Sequence, residues 1–327
     1  MPGCLRAPAI EPSPSPDDAA EHLLGGVIVV PPSGPGGSRR AGISMSGRPV
    51  ASLLRVLILV SPAKSLDLES PLTTRRSTLP RYLDQAEILI EVMRTKPVAE
   101  LRRLMGISEE LAVLNADRYR DFQTPFTPAN ARPAALTFNG AVYQGMAPRT
   151  FDQRDWTEAG KTLRILSGLY GILRPLDLIQ PYRLEMGIRV ANDRGPDLYS
   201  FWRPRLTRAV AEDLASSPGA RVIVNLASAE YAGGVDLEGL SQRFAAGNIG
   251  EPGFGARIVS PRFEDRDQSG RWKVISFAAK RARGLMAGWL VRERVRSARG
   301  VTRFSLGGYR YTPETSTPGV PVFRQLG

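Results

Sequence analysis

One cysteine and one histidine occur among 327 residues, Cys4 and His22, and both sit near the N-terminus. From residue 51 onward there is neither. That excludes from the main body structural disulfides, thiolate nucleophiles, Ser-His-Asp relays, haem held through His or Cys, and zinc sites of the usual ligand set. A metal there would rest on carboxylate or carbonyl oxygens, and no metal or other cofactor is expected. Acid–base chemistry falls to Asp, Glu, Lys, Tyr or an activated Ser. No stretch reaches the roughly 18 consecutive apolar residues of a membrane-spanning helix, so a membrane is not an expected partner. Hydrophobic residues make up 42% of the chain, too many for a wholly disordered protein.

Proline and glycine are unevenly spread. Residues 1–50 hold nine of the 27 prolines and eight of the 32 glycines, with PSPSP at 12–16 and PPSGPGGS at 31–38. Such a segment buries too little apolar surface to offset the entropy of ordering it. Its compact apolar run, 27–30, follows acidic residues (Asp17, Asp18, Glu21) and precedes no small-residue cleavage pattern, so it does not read as a signal peptide. Residues 1–55 are expected to be a disordered extension or the product of a start placed too early, with Met45 as an internal alternative.

The chain reads as folded from residue 56. Residues 56–60 have the composition and length of a buried strand. Residues 80–93 have helical spacing, with Pro80 in the first turn. Ser108 predicts a helix start, with Glu109 and Glu110 at its positive end. Asp152 predicts a helix running toward Leu166, and Asp197 another through Leu206, Val210 and Leu214. Strands are expected at 221–226, 256–261, 272–277, 309–311 and 320–323, and a long helix at 278–298. Strands and helices interleave without a linker-like break, which predicts one α/β (mixed α+β) domain over 56–327.

The net charge of +12 belongs to residues 51–327, because residues 1–50 carry four charges of each sign. Ten basic residues and one acidic residue, Glu293, lie between Arg271 and Arg303. On a continuous helix Arg281, Arg292, Arg296 and Arg299 fall within about 60° of one another. Such a stripe is either a solvated face or a surface for a polyanion, and charge alone does not choose between them.

Three segments carry chemistry. Ser61-Pro62-Ala63-Lys64-Ser65-Leu66-Asp67 follows the first strand directly, where α/β proteins bind ligands. The run from Leu163 to Asp177 contains Ser167, Gly168, Tyr170, Gly171, Arg174 and Pro175. It resembles a helix-hairpin-helix element, in which glycines let a DNA phosphate approach the backbone. Finally, Asp177, Arg183, Glu185, Asn225, Ser228 and Glu230 can converge on one polar cleft. There the carboxylates either act as general acid and base, making Asp177, Glu185 and Glu230, with the Ser228 hydroxyl, catalytic candidates, or hold the arginines in place.

SPAKSLD at 61–67, SPLTTRRSTLP at 70–80, LSGLYGILRPLDLIQPYRLEMGIR at 166–189, NLASAEY at 225–231 and SFAAKRARGLM at 276–286 occur in this order. Together they resemble the bacterial peroxide stress protein family YaaA, over residues 56–324. The resemblance implies a cytoplasmic protein that limits free iron and the oxidative damage it drives. It also implies a family-specific mixed α/β fold, with a helix-hairpin-helix element at Leu166 to Gly171 and a basic cleft suited to duplex DNA. That cleft would draw on Lys64, Arg174, Arg183, Lys280, Arg281 and Arg283. It brings no catalytic set. Residues 238–254 look like an insertion relative to shorter relatives, and their glycines predict a surface loop.

The leading expectation is a monomer, without demonstrated catalysis, that binds duplex DNA through its phosphates. The alternative is an enzyme acting on damaged DNA, a nucleotide or another anionic metabolite. Direct iron storage ranks last, since ferrous sites usually include imidazole or thiolate.

Overall fold

The computed structural model describes residues 56–216, 221–245 and 256–326, so the expectations for residues 1–55 and for 246–254 lie outside the described residues. In chain order the first part holds β1 (Val56–Val60), α1 (Leu83–Arg94), α2 (Val98–Met105) and α3 (Glu109–Asp121). There follow β2 (Arg132–Pro133), α4 (Ala134–Thr137), α5 (Ala141–Met146) and α6 (Gln153–Thr162). Next come β3 (Leu163–Ser167), β4 (Gly171–Leu173), β5 (Leu178–Ile179), α7 (Leu198–Ala215) and β6 (Val222–Asn225). The chain continues through α8 (Ala229–Ala232), α9 (Leu237–Ala245), β7 (Arg257–Val259), β8 (Arg262–Arg266) and β9 (Trp272–Lys273). It ends with α10 (Ser276–Arg292), α11 (Ala298–Val301), β10 (Tyr309–Tyr311) and β11 (Val322–Gln325).

Five strands form the main sheet, in the order β4-β3-β1-β6-β7. β1 runs parallel to both β3 and β6, β6 parallel to β7, and β4 antiparallel to β3. All residues of β1 and β3 are buried, as central parallel strands covered on both faces must be. α6 and α10 pack against β1, and α7 packs against β4. A four-stranded sheet, β10-β11-β8-β9, joins the same core through Phe263, Phe304 and Phe323. Trp289 of α10 meets Phe304 edge-on at 5.5 Å. The fold is thus mixed α/β.

Caps explain several helix starts. The side chains of Ser108, Asp152 and Asp197 each accept an N–H of the following first turn. At α6 this is a reciprocal capping box between Asp152 and Asp155.

Two expectations are corrected. The helix from Asp152 stops at Thr162, and the next residues are strand, so Leu163 to Leu173 is a β-hairpin and not a helix-hairpin-helix. Its turn is packed inward. Ser167 shares a hydrogen bond of 2.7 Å with the Tyr182 hydroxyl, and Trp202 Nε1 donates to the Gly168 carbonyl at 2.9 Å. A Cβ on Gly168 would overlap the Leu184 carbonyl, and Gly171 has φ +70° against the Trp202 ring. Ser167, Gly168, Tyr170 and Gly171 are therefore needed for packing and are closed to a phosphate backbone.

The second correction concerns the arginine stripe. α10 ends at Arg292, Glu293 caps it, and Arg294 takes φ +48°. Two of the arginines beyond are neutralised locally, while Arg299 and Arg303 stay exposed without an ion pair among the described residues. Arg294 meets Asp155 at 3.4 Å and Arg296 meets Glu158 at 2.6 Å. Arg292 donates to Thr150 Oγ1 at 2.7 Å and lies over the Phe151 ring at 4.8 Å. The stripe does not continue as one exposed face. Likewise, strand at 272–277 shrinks to β9, because α10 starts at Ser276. The surface loop expected from residue 238 is helix as far as 245, since Asp236 accepts the Gly239 N–H at 2.9 Å and starts α9.

Backbone meets backbone where α10 crosses α5. A Cβ on Gly284 would overlap the Val142 carbonyl, one on Gly288 would crowd Met146, and one on Gly145 would overlap the Arg281 carbonyl. Gly160 in α6 has open space around its Cβ position. Gly284→Ala should therefore lose at least about 1–3 kcal/mol of stability. Gly160→Ala should gain roughly 0.5–1 kcal/mol. Urea unfolding midpoints of the two variants check the contrast.

Candidate functional site

The winding of the main sheet reverses between β1 and β6. The connection from β1 leads to β3 on one side, and that from β6 leads to β7 on the other. In open α/β sheets ligands bind at such a point, beyond the carboxyl ends of the strands. A cleft of about 350 Å³ opens there. It is walled by the loop after β1, the start of α5, the loop after β6 and the first half of α10.

Hydroxyls tie the two loops together. The Ser228 N–H donates to Ser61 Oγ at 2.9 Å, and the two hydroxyls lie 3.3 Å apart. Ser228 also caps α8, and the Tyr143 hydroxyl donates to the Ser61 carbonyl at 3.1 Å. Burial pushes the phenols of Tyr143 and Tyr231 well above their ordinary range, so at neutral pH they are hydrogen-bonding hydroxyls and not bases.

Charge in the cleft is mixed. Glu185 Oε1 receives Lys64 Nζ at 3.2 Å and the Arg183 guanidinium at 3.1 and 3.2 Å. Glu185 Oε2 is buried and has no hydrogen-bond donor among the described residues. Glu230 Oε1 accepts the Gly187 N–H at 3.0 Å. Opposite, α10 presents Lys280 and Arg283. Arg283 is half-buried, and that burial alone draws its pKa down. Neither it nor Lys280 nor Arg281 has an ion pair or hydrogen bond among the described residues. The arrangement can hold an anion on its cations and accept an N–H or O–H at Glu185.

The candidates named from sequence divide accordingly. Lys64, Glu185, Ser228, Glu230, Lys280 and Arg283 line the cleft. Arg183 lies behind it, bound to Glu185, and Arg281 is exposed on α10 beside it. Asn225 turns back to cap its own loop, accepting the Ala227 N–H at 3.1 Å. Arg174 and Asp177 are elsewhere. Asp177 is buried and accepts the Thr78 hydroxyl at 2.5 Å, the Arg174 N–H at 2.7 Å and Arg174 Nε at 3.2 Å. Burial raises its pKa against those hydrogen bonds, and its place is structural. Sequence reasoning did not find Asn139 and Tyr143, which also line the cleft. Asn139 sits in Phe138-Asn139-Gly140, where the Asn-Gly pair is the one readable signal, and Tyr143 lies in α5, a helix of six residues and too short to show periodicity.

The fold and the cleft define a mixed α/β protein with a cleft at the switch point of its sheet. Comparison with known proteins places it further. The family model described as peroxide stress protein YaaA matches residues 56–315. A UPF0246 protein of Cellvibrio japonicus (strain Ueda107) is 47% identical over 268 residues, covering 82% of this chain and 98% of that protein. A UPF0246 protein of Tolumonas auensis (strain DSM 9187 / NBRC 110442 / TA 4) is 46% identical over 270 residues, covering 83% and 98%. The chain belongs to the peroxide stress protein YaaA family. Among the described residues no helix is long and apolar enough to cross a membrane.

Asp177→Asn should cost about 1–3 kcal/mol of stability, by weakening buried charge-assisted hydrogen bonds. It should leave anion binding at the cleft unchanged. Thermal unfolding and a phosphate-competition titration of the same variant check both halves.

Proposed function

We propose that this peroxide stress protein binds duplex DNA in the cytoplasm through phosphate contacts, and so helps limit iron-driven oxidative damage. One observation carries the reading. Lys280, Arg281 and Arg283 share about one turn of α10 and have no acidic partner among the described residues, while neighbouring Arg294 and Arg296 are paired. Cations left unpaired on one surface are an electrostatic footprint for a polyanion. Lys64, two-thirds exposed and bridged to Glu185, adds a paired cation on the opposite wall of the cleft. The duplex rests on this rim, and base sequence is not read by phosphate contacts. Ser167, Gly168, Tyr170, Gly171, Arg174 and Arg183 are not part of this surface.

A second reading, an enzyme acting on a nucleotide or damaged DNA, draws on Glu185 and Glu230 lining the same cleft. Product formation from such a substrate, abolished in Glu230→Gln, would favour it.

Affinity for duplex should fall steeply with salt, with a log–log slope of about −0.9 per phosphate neutralised. The Lys280/Arg281/Arg283 triple Ala variant should weaken binding to all sequences alike and flatten the slope by about 2.7. Fluorescence anisotropy with a labelled duplex at several salt concentrations measures this. Equal affinity and slope for wild type and variant would remove the basis of the reading.

A further inference from the structure

The rim accounts for phosphates, but it leaves three features of the same region unused. The cleft is concave and sized for a small molecule, at the lower end of the roughly 300–1,000 Å³ typical of such sites. Glu185, nine-tenths buried on its wall, carries an oxygen with no donor among the described residues. A buried acceptor left unmet is costly, and a native structure rarely keeps one without a use. The third feature is Phe277, the most exposed of the large apolar side chains among the described residues, at 67%. It stands three residues before Lys280, about 4.5 Å along the helix axis and within about 60° of it around the helix.

Resting on the DNA-binding reading above, we propose that the cleft holds one nucleotide unit turned out of the duplex. Its phosphate lies against Arg283 and Lys280. The Glu185 side chain turns its Oε2, enclosed in the free protein, to accept an N–H of the base edge, and the base lies along the apolar wall of Val142, Leu226 and Tyr231. Phe277 enters the stack that the base has left. Each part answers a physical requirement. A half-buried guanidinium without a carboxylate needs an anion. All four DNA bases carry an N–H donor on the Watson–Crick edge, so one carboxylate oxygen can receive any of them. Turning a base out costs a few kcal/mol of unstacking, least at a damaged or mismatched position. Proteins that distort duplexes meet part of that cost with an apolar wedge such as Phe. The site would thus favour weakened positions in DNA without reading sequence. The same chemistry would admit a free nucleotide, and the test separates the two sources.

The test uses the full chain and a duplex with 2-aminopurine opposite a mismatch. Anisotropy reports binding, and 2-aminopurine fluorescence, quenched by stacking, reports the turned-out base. Free 2-aminopurine deoxynucleoside monophosphate is titrated in parallel. Wild type should bind the duplex with a several-fold rise in fluorescence. Phe277→Ala should lose most of the rise, and its exposed position leaves folding intact. Glu185→Gln should lose it too. Because that change also loosens Lys64 and Arg183, Ala141→Leu, which narrows the cleft without touching an ion pair, serves as its companion. Duplex binding without a rise in wild type, and without monophosphate binding, overturns this inference and leaves the rim reading standing. Monophosphate binding without duplex binding keeps the cleft as a nucleotide site and removes both the rim reading and the turned-out base. Binding of neither overturns both.

Discussion

The approach of α10 to α5 is the constraint on which the site depends. Helices normally keep 8–10 Å between axes because side chains stand between them. Here Gly145, Gly284 and Gly288 remove those side chains, and backbone carbonyls occupy the space. The gain is position. α5 begins at one wall of the cleft and α10 forms another, so their separation sets how far Lys280 and Arg283 stand from Lys64 and Glu185. A larger residue at any of the three glycines would push the cations away from the cleft as well as strain the core.

The sheet supplies the other half. β1 and β6 end side by side, and the Ser61–Ser228 hydrogen bonds hold their loops at a fixed distance. What remains is an unequal distribution of charge. Acidic residues nearby are used: Asp155 and Glu158 by arginines beyond α10, Glu185 Oε1 by Lys64 and Arg183. The first half of α10 keeps its cations unmatched. An excess of positive charge over the whole chain says little about where a ligand goes; unpaired cations that also line a concave cleft say more.

Much of this was legible in the sequence. The strand at 56–60, the caps at Ser108, Asp152 and Asp197, and the strands at 222–225, 257–259 and 309–311 followed from composition and cap chemistry, whereas β8, mostly charged in sequence, was not foreseen. The loop after β1 was placed where parallel strands bind ligands, and Lys64, Glu185, Ser228 and Glu230 do meet. The hairpin at 163–173 was misread because a strand buried on both faces has no alternation, and so matches a buried helix segment of the same length. Its glycines serve close packing against Leu184 and Trp202, and that is invisible without the partners. The arginine stripe failed for a related reason. Helical geometry placed Arg296 with Arg281 only if the helix continued, and nothing local announced the turn at Glu293 and Arg294. Asp177 showed the converse: a carboxylate among basic residues looked chemical, and its hydrogen bonds to Thr78 and Arg174 make it structural.

The central claim is that unpaired cations around one cleft receive phosphates. A crystal structure of the full chain with a short mismatched duplex tests it most directly. The account predicts phosphate oxygens about 2.7–3.2 Å from the Lys280 ammonium and the Arg283 guanidinium. It is contradicted if the duplex lies across another face with the α10 cations still in solvent.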